Sequence, residues 1–191
     1  NAELIKVVYN TFISTKIAMM NTVMETCHHL PNTNVDDVTE ALALCTDRII
    51  SKKYLYGGMG DGGGCHPRDN IALSYLAQKH DLSYNWYDSI MKQRENQTEW
   101  LADLIIKHKG DKQINILGKC FKPETNLIMG SPAILLKNIL EEKGETVRMW
   151  DPWVDDNNIM KVKEEYEWDK VPQLFFIGCK HEVWKEFYFM P

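Results

Sequence analysis

The 191-residue sequence predicts an α/β fold in two parts, an all-helical region followed by a small parallel sheet. Three observations predict it. Apolar residues recur at three-to-four spacing from the very start of the chain. The texture changes at Gly110, where helical periodicity gives way to a short strand run. From there the order is strand, helix, strand, helix, strand, the pattern of a doubly wound sheet, Rossmann-like in its connectivity. These features divide the chain into a helical domain at 1–109 and a Rossmann-like domain at 110–191, the latter expected to be incomplete at its C-terminus.

The first element is a helix over residues 2–29. Leu4, Val8, Phe12, Met19, Val23 and Cys27 form one apolar stripe, and Ile5, Ile17, Met20 and Met24 widen it. Such a helix is about 40 Å long at about 1.5 Å per residue. With apolar residues on more than one side, it belongs inside an assembly or against a second copy of itself. His28, His29 and Pro31 stop it. Asn34 caps a short helix with Asp36 and Asp37 in its first turn. A loop from Thr46 to Gly64 follows. Asp69 reads as the N-cap of a third helix carrying Ile71, Leu73, Tyr75 and Leu76. A fourth helix runs from about Tyr84 to Lys109. In the second region, Gln113 to Gly118 is a strand, and Ser131-Pro132 starts a helix whose buried face is Leu135, Leu136, Ile139 and Leu140 and which ends at Gly144. Thr146 to Trp150 and Leu174 to Gly178 are strands, separated by a charged helical stretch. Ligands of such sheets bind at the carboxyl ends of the strands, here Gly118 to Lys122, Asp151 and Gly178 to His181.

Composition narrows the function classes. Hydrophobic residues are 44% and charged residues 26%, the balance of a globular protein. A net charge of -5 argues against nucleic acid as a partner. No apolar run approaches a membrane span and no signal-peptide pattern opens the chain, so no membrane partner is expected. Cys27, Cys45, Cys65, Cys120 and Cys179 are odd in number, widely spaced and never in a CxxC pair, which fits reduced thiols in the cytoplasm. No metal is expected, because neither Cys27-His28 nor Cys65-His66 has a second ligand pair at suitable spacing.

The densest chemical signal lies at 57–69, Gly-Gly-Met-Gly-Asp-Gly-Gly-Gly-Cys-His-Pro-Arg-Asp. Glycines let backbone approach a ligand closely, and a cysteine delivered at the end of such a loop beside a basic group is a candidate nucleophile. Arg68 suits holding an anion or lowering the thiol pKa, and Asp69 handling a water or proton. Upstream, Lys6 and Asn10 share one helix face, with Asn21 on roughly the same side. A Lys–Asn pair is ordinarily a solvated face. Its chemical reading is a pair of donors that steady a developing oxyanion. Arg48 is either a surface charge or a phosphate or sugar contact. Lys122, just past the first strand, is either a solvated loop lysine or placed to meet a diphosphate. Gly118-Lys119-Cys120-Phe121 lacks the GxGxxG dinucleotide fingerprint. A cysteine hydrolase is a poorer fit, because His66 is adjacent to Cys65 in sequence and points elsewhere in most backbone conformations.

Ala-Glu-Leu-Ile-Lys-Val-Val-Tyr-Asn-Thr-Phe (2–12), Gly-Asp-Gly-Gly-Gly-Cys-His-Pro-Arg-Asp (60–69), Ile-Leu-Gly-Lys-Cys-Phe-Lys-Pro-Glu-Thr (116–125) and Gly-Ser-Pro-Ala (130–133) occur in this order. Together they resemble the UDP-glucose/GDP-mannose dehydrogenase family, and Trp184-Lys185-Glu186-Phe187 resembles a late segment of its last domain. The resemblance implies oxidation of the C6 alcohol of a nucleotide sugar, UDP-glucose foremost, to the uronate with two NAD and no metal, as in polysaccharide biosynthesis. It implies Cys65 as nucleophile, Lys6 and Asn10 on the C6 oxyanion, and Asp69 activating or orienting the water. It further implies substrate contacts from Arg48, Tyr54, Gly62, Gly63, Gly64, Phe121 and Lys122, a cofactor contact from Arg68, and a homodimer through the first helix. The family's NAD domain would precede Asn1, so this chain is expected to be a fragment, inactive by itself. Arg68 stands where the family usually has Lys, and the stretch 126–130 lacks the Arg that members often carry before Ser-Pro. The rival expectation is a non-catalytic nucleotide-sugar-binding or dimerisation module derived from the same family.

Overall fold

The computed structural model describes residues 1–46, 57–79, 81, 85–154 and 170–186. The chain forms two compact units, Asn1–Gln97 and Thr98–Pro191. The expected contacts Arg48 and Tyr54, the charged stretch before the last strand, and Phe187 lie outside the described residues. Among the described residues, no helix is long and apolar enough to cross a membrane.

The first unit is helical. α1 spans Ala2–His29, α2 Val35–Ala43 and α3 Cys65–Lys79, and α4, Trp86–Lys109, begins here. α1 has the expected bounds and ends at Leu30, whose backbone is extended ahead of Pro31. The Asn34 side chain accepts from the Asp36 N–H and caps α2. One expectation is overturned. Asp69 is not the N-cap of α3, which already starts at Cys65. The reason is Pro67, which falls in the first turn, where its missing N–H would have had no helical partner. Asp69 therefore lies on the helix, one turn after Cys65.

The interior of this unit is unusually polar. Its buried residues include Thr11, Ser14, Asn21, Thr39, Asp61, Asp69, Asn70 and Gln97 beside Ile13, Met20, Leu73, Ala77 and Ile90. Conversely, the apolar stripe picked out by periodicity faces outward: Leu4, Val8, Phe12 and Met19 are all about half exposed, and Ile5 is 68% exposed. On α3 only Leu73 of the expected apolar set is buried, while Ile71, Tyr75 and Leu76 are exposed.

The second unit holds a three-stranded parallel sheet of order β2-β1-β3, with β1 at Gln113–Leu117, β2 at Val147–Trp150 and β3 at Gln173–Ile177. β1 is central, and Ile114 through Leu117 are all buried, as a strand covered on both faces requires. Its one polar member, Asn115, is satisfied: Nδ2 donates to the Gln113 carbonyl and to Gln173 Oε1, and Oδ1 accepts from Trp150 Nε1. α5, Pro132–Glu142, starts on the Ser131 side chain, which accepts from the Ile134 N–H, and buries Leu136 and Leu140. It closes at Gly144 (φ +88°), where the Glu145 N–H reaches the Leu140 carbonyl and the Gly144 N–H reaches that of Glu141. Leu117, Trp150 and Trp184 form a cluster with Phe175 and Val183. Trp184 lies on a short 3-10 turn, Glu182–Glu186.

Candidate active site

Four side chains of α1 explain the polar interior. Lys6, Asn10, Ser14 and Asn21 repeat at helical spacing, so they form one stripe on α1, and each grips the glycine loop or the start of α3. Lys6 Nζ and Asn10 Nδ2 both donate to Asp69 Oδ2, at 2.5 and 2.6 Å. Ser14 Oγ donates to Asp61 Oδ2 and contacts His66 Nδ1, each at 3.0 Å. Asn21 Oδ1 accepts from the Gly58 N–H. From the other side, α4 supplies Arg94, whose Nε donates to Asp61 Oδ1 at 2.8 Å, and Gln97, whose Nε2 donates to the Gly58 carbonyl. The glycine loop is thus clamped between two helices by polar contacts. Gly57 also runs tight against α1: a Cβ there would meet the Met24 Cβ at 2.9 Å.

Asp69 is the hub. Its Oδ1 accepts from Arg68 Nε and Nη2, both at 3.1 Å, so both carboxylate oxygens are engaged. Burial pushes the carboxyl up, but the hydrogen bonds from Lys6, Asn10 and Arg68 outweigh it and hold the pKa at about 2. Cys65, exposed, lies four residues before Asp69 on α3. That spacing puts the two on one helix face, about 5–6 Å apart at Cβ. Two cations and one carboxylate leave the cluster net positive, the sign that favours a thiolate or an oxyanion. An ammonium has three N–H donors and an amide two, so Lys6 and Asn10 can hold Asp69 and still present donors to a substrate oxygen.

Of the remaining expected site residues, Gly62, Gly63 and Gly64 directly precede Cys65, and Phe121 and Lys122 follow β1 in the second unit. Gly62 is half-buried, Gly63 is buried with φ +84°, and Gly64 is exposed beside Cys65. Phe121 is half-buried, its N–H on the Leu127 carbonyl, and Lys122 is exposed. Ser14, Asp61, His66 and Arg94 were not expected. Only the position of Ser14, one turn after Asn10, hinted at it.

In the second unit the carboxyl ends of the strands converge on Asp151. Its Oδ2 accepts from the N–H groups of Lys119 and Cys120 and from His181 Nε2, and its Oδ1 accepts from the Trp153 N–H. Burial pushes this carboxyl up, yet the N–H donors outweigh it and hold it low. Burial, reinforced by Asp151, lifts the Cys120 thiol to about 12, and burial with the Asp151 and Glu124 charges lifts Cys179 to about 11. Cys120, Asp151 and His181 are close enough to suggest a metal centre. However, His181 Nδ1 accepts from the Glu124 N–H, so the ring proton is on Nε2 and faces Asp151. Ligation through Nε2 would drive that proton onto Nδ1, against the Glu124 N–H. The cluster is a hydrogen-bonded clamp. All five cysteines are free thiols.

The central-domain description of the UDP-glucose/GDP-mannose dehydrogenase family matches residues 1–96, and its UDP-binding-domain description matches residues 115–183. The chain belongs to this family. It is 30% identical over 155 residues to UDP-glucose 6-dehydrogenase TuaD of Bacillus subtilis, covering 80% of this chain and 33% of that protein. It is 33% identical over 155 residues to the UDP-glucose 6-dehydrogenase of Rhizobium meliloti, covering 79% and 35%. The chain therefore spans about a third of the length of these relatives. Among solved structures, a UDP-glucose dehydrogenase from Pyrobaculum islandicum superposes with a TM-score of 0.80 at 22% identity, over 99% of this chain and 45% of that one. A UDP-D-ManNAc dehydrogenase from Pyrococcus horikoshii gives 0.78 at 25% identity, over 97% and 43%. The family's dehydrogenases thus share both halves of this fold.

Proposed function

We propose that this chain is the central and nucleotide-sugar-binding part of an NAD-dependent UDP-glucose 6-dehydrogenase-like enzyme, with Cys65 as its nucleophile. The observation that carries the reading is Asp69, which shares a helix face with Cys65 and gathers Lys6 and Asn10 of α1 onto that face.

In this reading the Cys65 thiolate adds to the C6 aldehyde of the sugar. A C–S bond forms and the carbonyl oxygen becomes an alkoxide, which the remaining donors of Lys6 and Asn10 hold. Loss of hydride from C6 leaves a thioester, and water cleaves it to the carboxylate and the free thiol. Asp69, held at about pKa 2, is too weak a base to take a proton from that water at neutral pH, so its part is to orient it. A bound NAD would supply the acceptor for both hydrides from C6, the one lost as the alcohol becomes the aldehyde and the one lost as the thioester forms. The described residues offer its diphosphate no cradle, since the Lys119 and Cys120 N–H groups at the end of β1 are already on Asp151. Arg68 spends Nε and Nη2 on Asp69 and is read as its holder rather than as a cofactor ligand.

Substrate contacts are assigned to the backbone of Gly62, Gly63 and Gly64, to Phe121 and Lys122, and to Arg48 and Tyr54. The chain pairs with a second copy through the outward apolar face of α1, in the cytoplasm. The test is NADH formation from UDP-glucose by the whole protein. Cys65→Ala is expected to lower turnover by more than roughly a hundredfold. Undiminished turnover in the variant overturns the nucleophile. Absent turnover in the wild type, with Cys65 alkylating no faster than a free thiol, makes the chain a non-catalytic binding or dimerisation module.

A further inference from the structure

His66 follows the proposed nucleophile, yet nothing in that mechanism uses it. Its ring Nδ1 lies 3.0 Å from Ser14 Oγ, and Ser14 Oγ lies 3.0 Å from Asp61 Oδ2. Asp61 is in turn ion-paired with Arg94 at 2.8 Å, both groups being largely buried. Counting protons fixes the direction of this chain. The Asp61 carboxylate is paired with the Arg94 guanidinium, so it only accepts. A hydroxyl has one proton, and Ser14 must give it to Asp61. Ser14 can then meet His66 only as an acceptor, so the proton between them belongs to His66 Nδ1. The neutral ring therefore carries its lone pair on Nε2, an assignment made from the hydrogen-bond network.

The lock sits where it matters. His66 is in the first turn of α3, and its carbonyl accepts from Asn70 Nδ2 one turn on. Asp61 is in the glycine loop that leads into Cys65, and the Asp61 carbonyl accepts a second, longer contact from Arg94 Nε at 3.4 Å. Ser14 is 2% exposed and one turn beyond Asn10 on the same stripe of α1. The lock thus ties α1, the loop and the Cys65 turn together.

We propose that His66 is a positioning residue, acting as an Nδ1–H donor to Ser14 within the Arg94–Asp61–Ser14–His66 relay to hold the Cys65 turn against α1. The proposal rests on the dehydrogenase reading only for what the lock serves. It predicts an asymmetry between two amides. The amide nitrogen of Asn occupies the place of Nδ1, and that of Gln the place of Nε2. His66→Asn keeps the donor to Ser14, and His66→Gln loses it.

The first measurement is the imidazole nitrogen spectrum of ¹⁵N-labelled chain at neutral pH, with the His66 signals assigned by their loss in His66→Asn. The expected result is a neutral Nδ1–H ring that shifts toward Nε2–H in Ser14→Ala. An Nε2–H ring in the wild type overturns the lock, whatever the protein catalyses. The second is turnover of the whole protein. His66→Asn should stay within about threefold of wild type, and His66→Gln should lose roughly tenfold in kcat with KM for the sugar nucleotide unchanged, the scale of one buried hydrogen bond. Equal losses in the two variants overturn the positioning role. Absent turnover in the wild type refutes the dehydrogenase reading, and the spectrum then decides the lock by itself.

Discussion

Asp69 accepts from its neighbour Arg68 and from Lys6 and Asn10, which lie far from it in the sequence, and its ionisation is therefore coupled to folding. Its carboxyl moves from an ordinary 3.8 to about 2 in the fold. A depressed carboxylate contributes stability that is present above the unfolded pKa and lost as pH falls through the folded one. The window is thus pH 4 down to 2. Lys6 is half exposed, so solvent screens its share, and about 1 kcal/mol is the expected size. Asp69→Asn should be less stable than wild type at pH 6 by about that amount, and the gap should close near pH 2. Urea unfolding at both pH values checks this, and a gap independent of pH would show that the loss is one of packing. Lys6 and Asn10 were legible as a pair because four-residue spacing is local. Their shared acceptor was legible only as a neighbour of Cys65, since Asp69 reaches them across 63 and 59 residues.

At the scale of elements, local chemistry set the boundaries. Asn34, Ser131-Pro132 and Gly144 act within one turn of their own helix, and each does what its residue type dictates. α3 starts at Cys65 rather than at Asp69 because two local signals compete, an Asp suited to a cap and a Pro suited to a first turn. Pro won, and Asp69 was thereby moved onto the helix face it shares with Cys65. The sheet offers a sharper test. Gly118 ends β1 at φ +100°, and a Cβ there would meet the Cys179 Cβ at 2.5 Å and its backbone nitrogen at 2.7 Å. Gly178, beside it, would bring a Cβ to 2.7 Å from that of Ala133. The strand ends are packed backbone to backbone, which is what lets Asp151 collect N–H donors from the turn after β1. Gly118→Ala should cost roughly 2 kcal/mol or more, from strain and overlap together. A midpoint of urea unfolding within error of wild type would contradict the close approach.

At the scale of the whole molecule, the outward face of α1 is the feature with the largest consequence. Leu4, Ile5, Val8, Tyr9 and Phe12 are exposed within a nine-residue span of α1, while Ser14 and Asn21 of its polar stripe are buried. Exposed apolar area of this kind is what a pairing surface would cover. With α1 as the proposed pairing surface, wild-type protein should sediment as a dimer and Ile5→Glu combined with Val8→Glu should shift it to monomer. A monomeric wild type at micromolar concentration, or an unshifted variant, would remove α1 from that role.

What the residues determined unaided was the order and type of the described elements, the caps at Asn34, Ser131 and Gly144, and the membership of a motif set spread from Lys6 to Pro132. Each of these is a property of neighbours in the chain, where periodicity, proline and glycine act directly. The fold alone decided which face of α1 turns inward, where α3 begins, and how Arg94, Asp61, Ser14 and His66 meet. Those outcomes depend on satisfying buried polar groups through space, and a buried carboxylate finds its arginine, or an imidazole its hydroxyl, only after helices distant in sequence have packed.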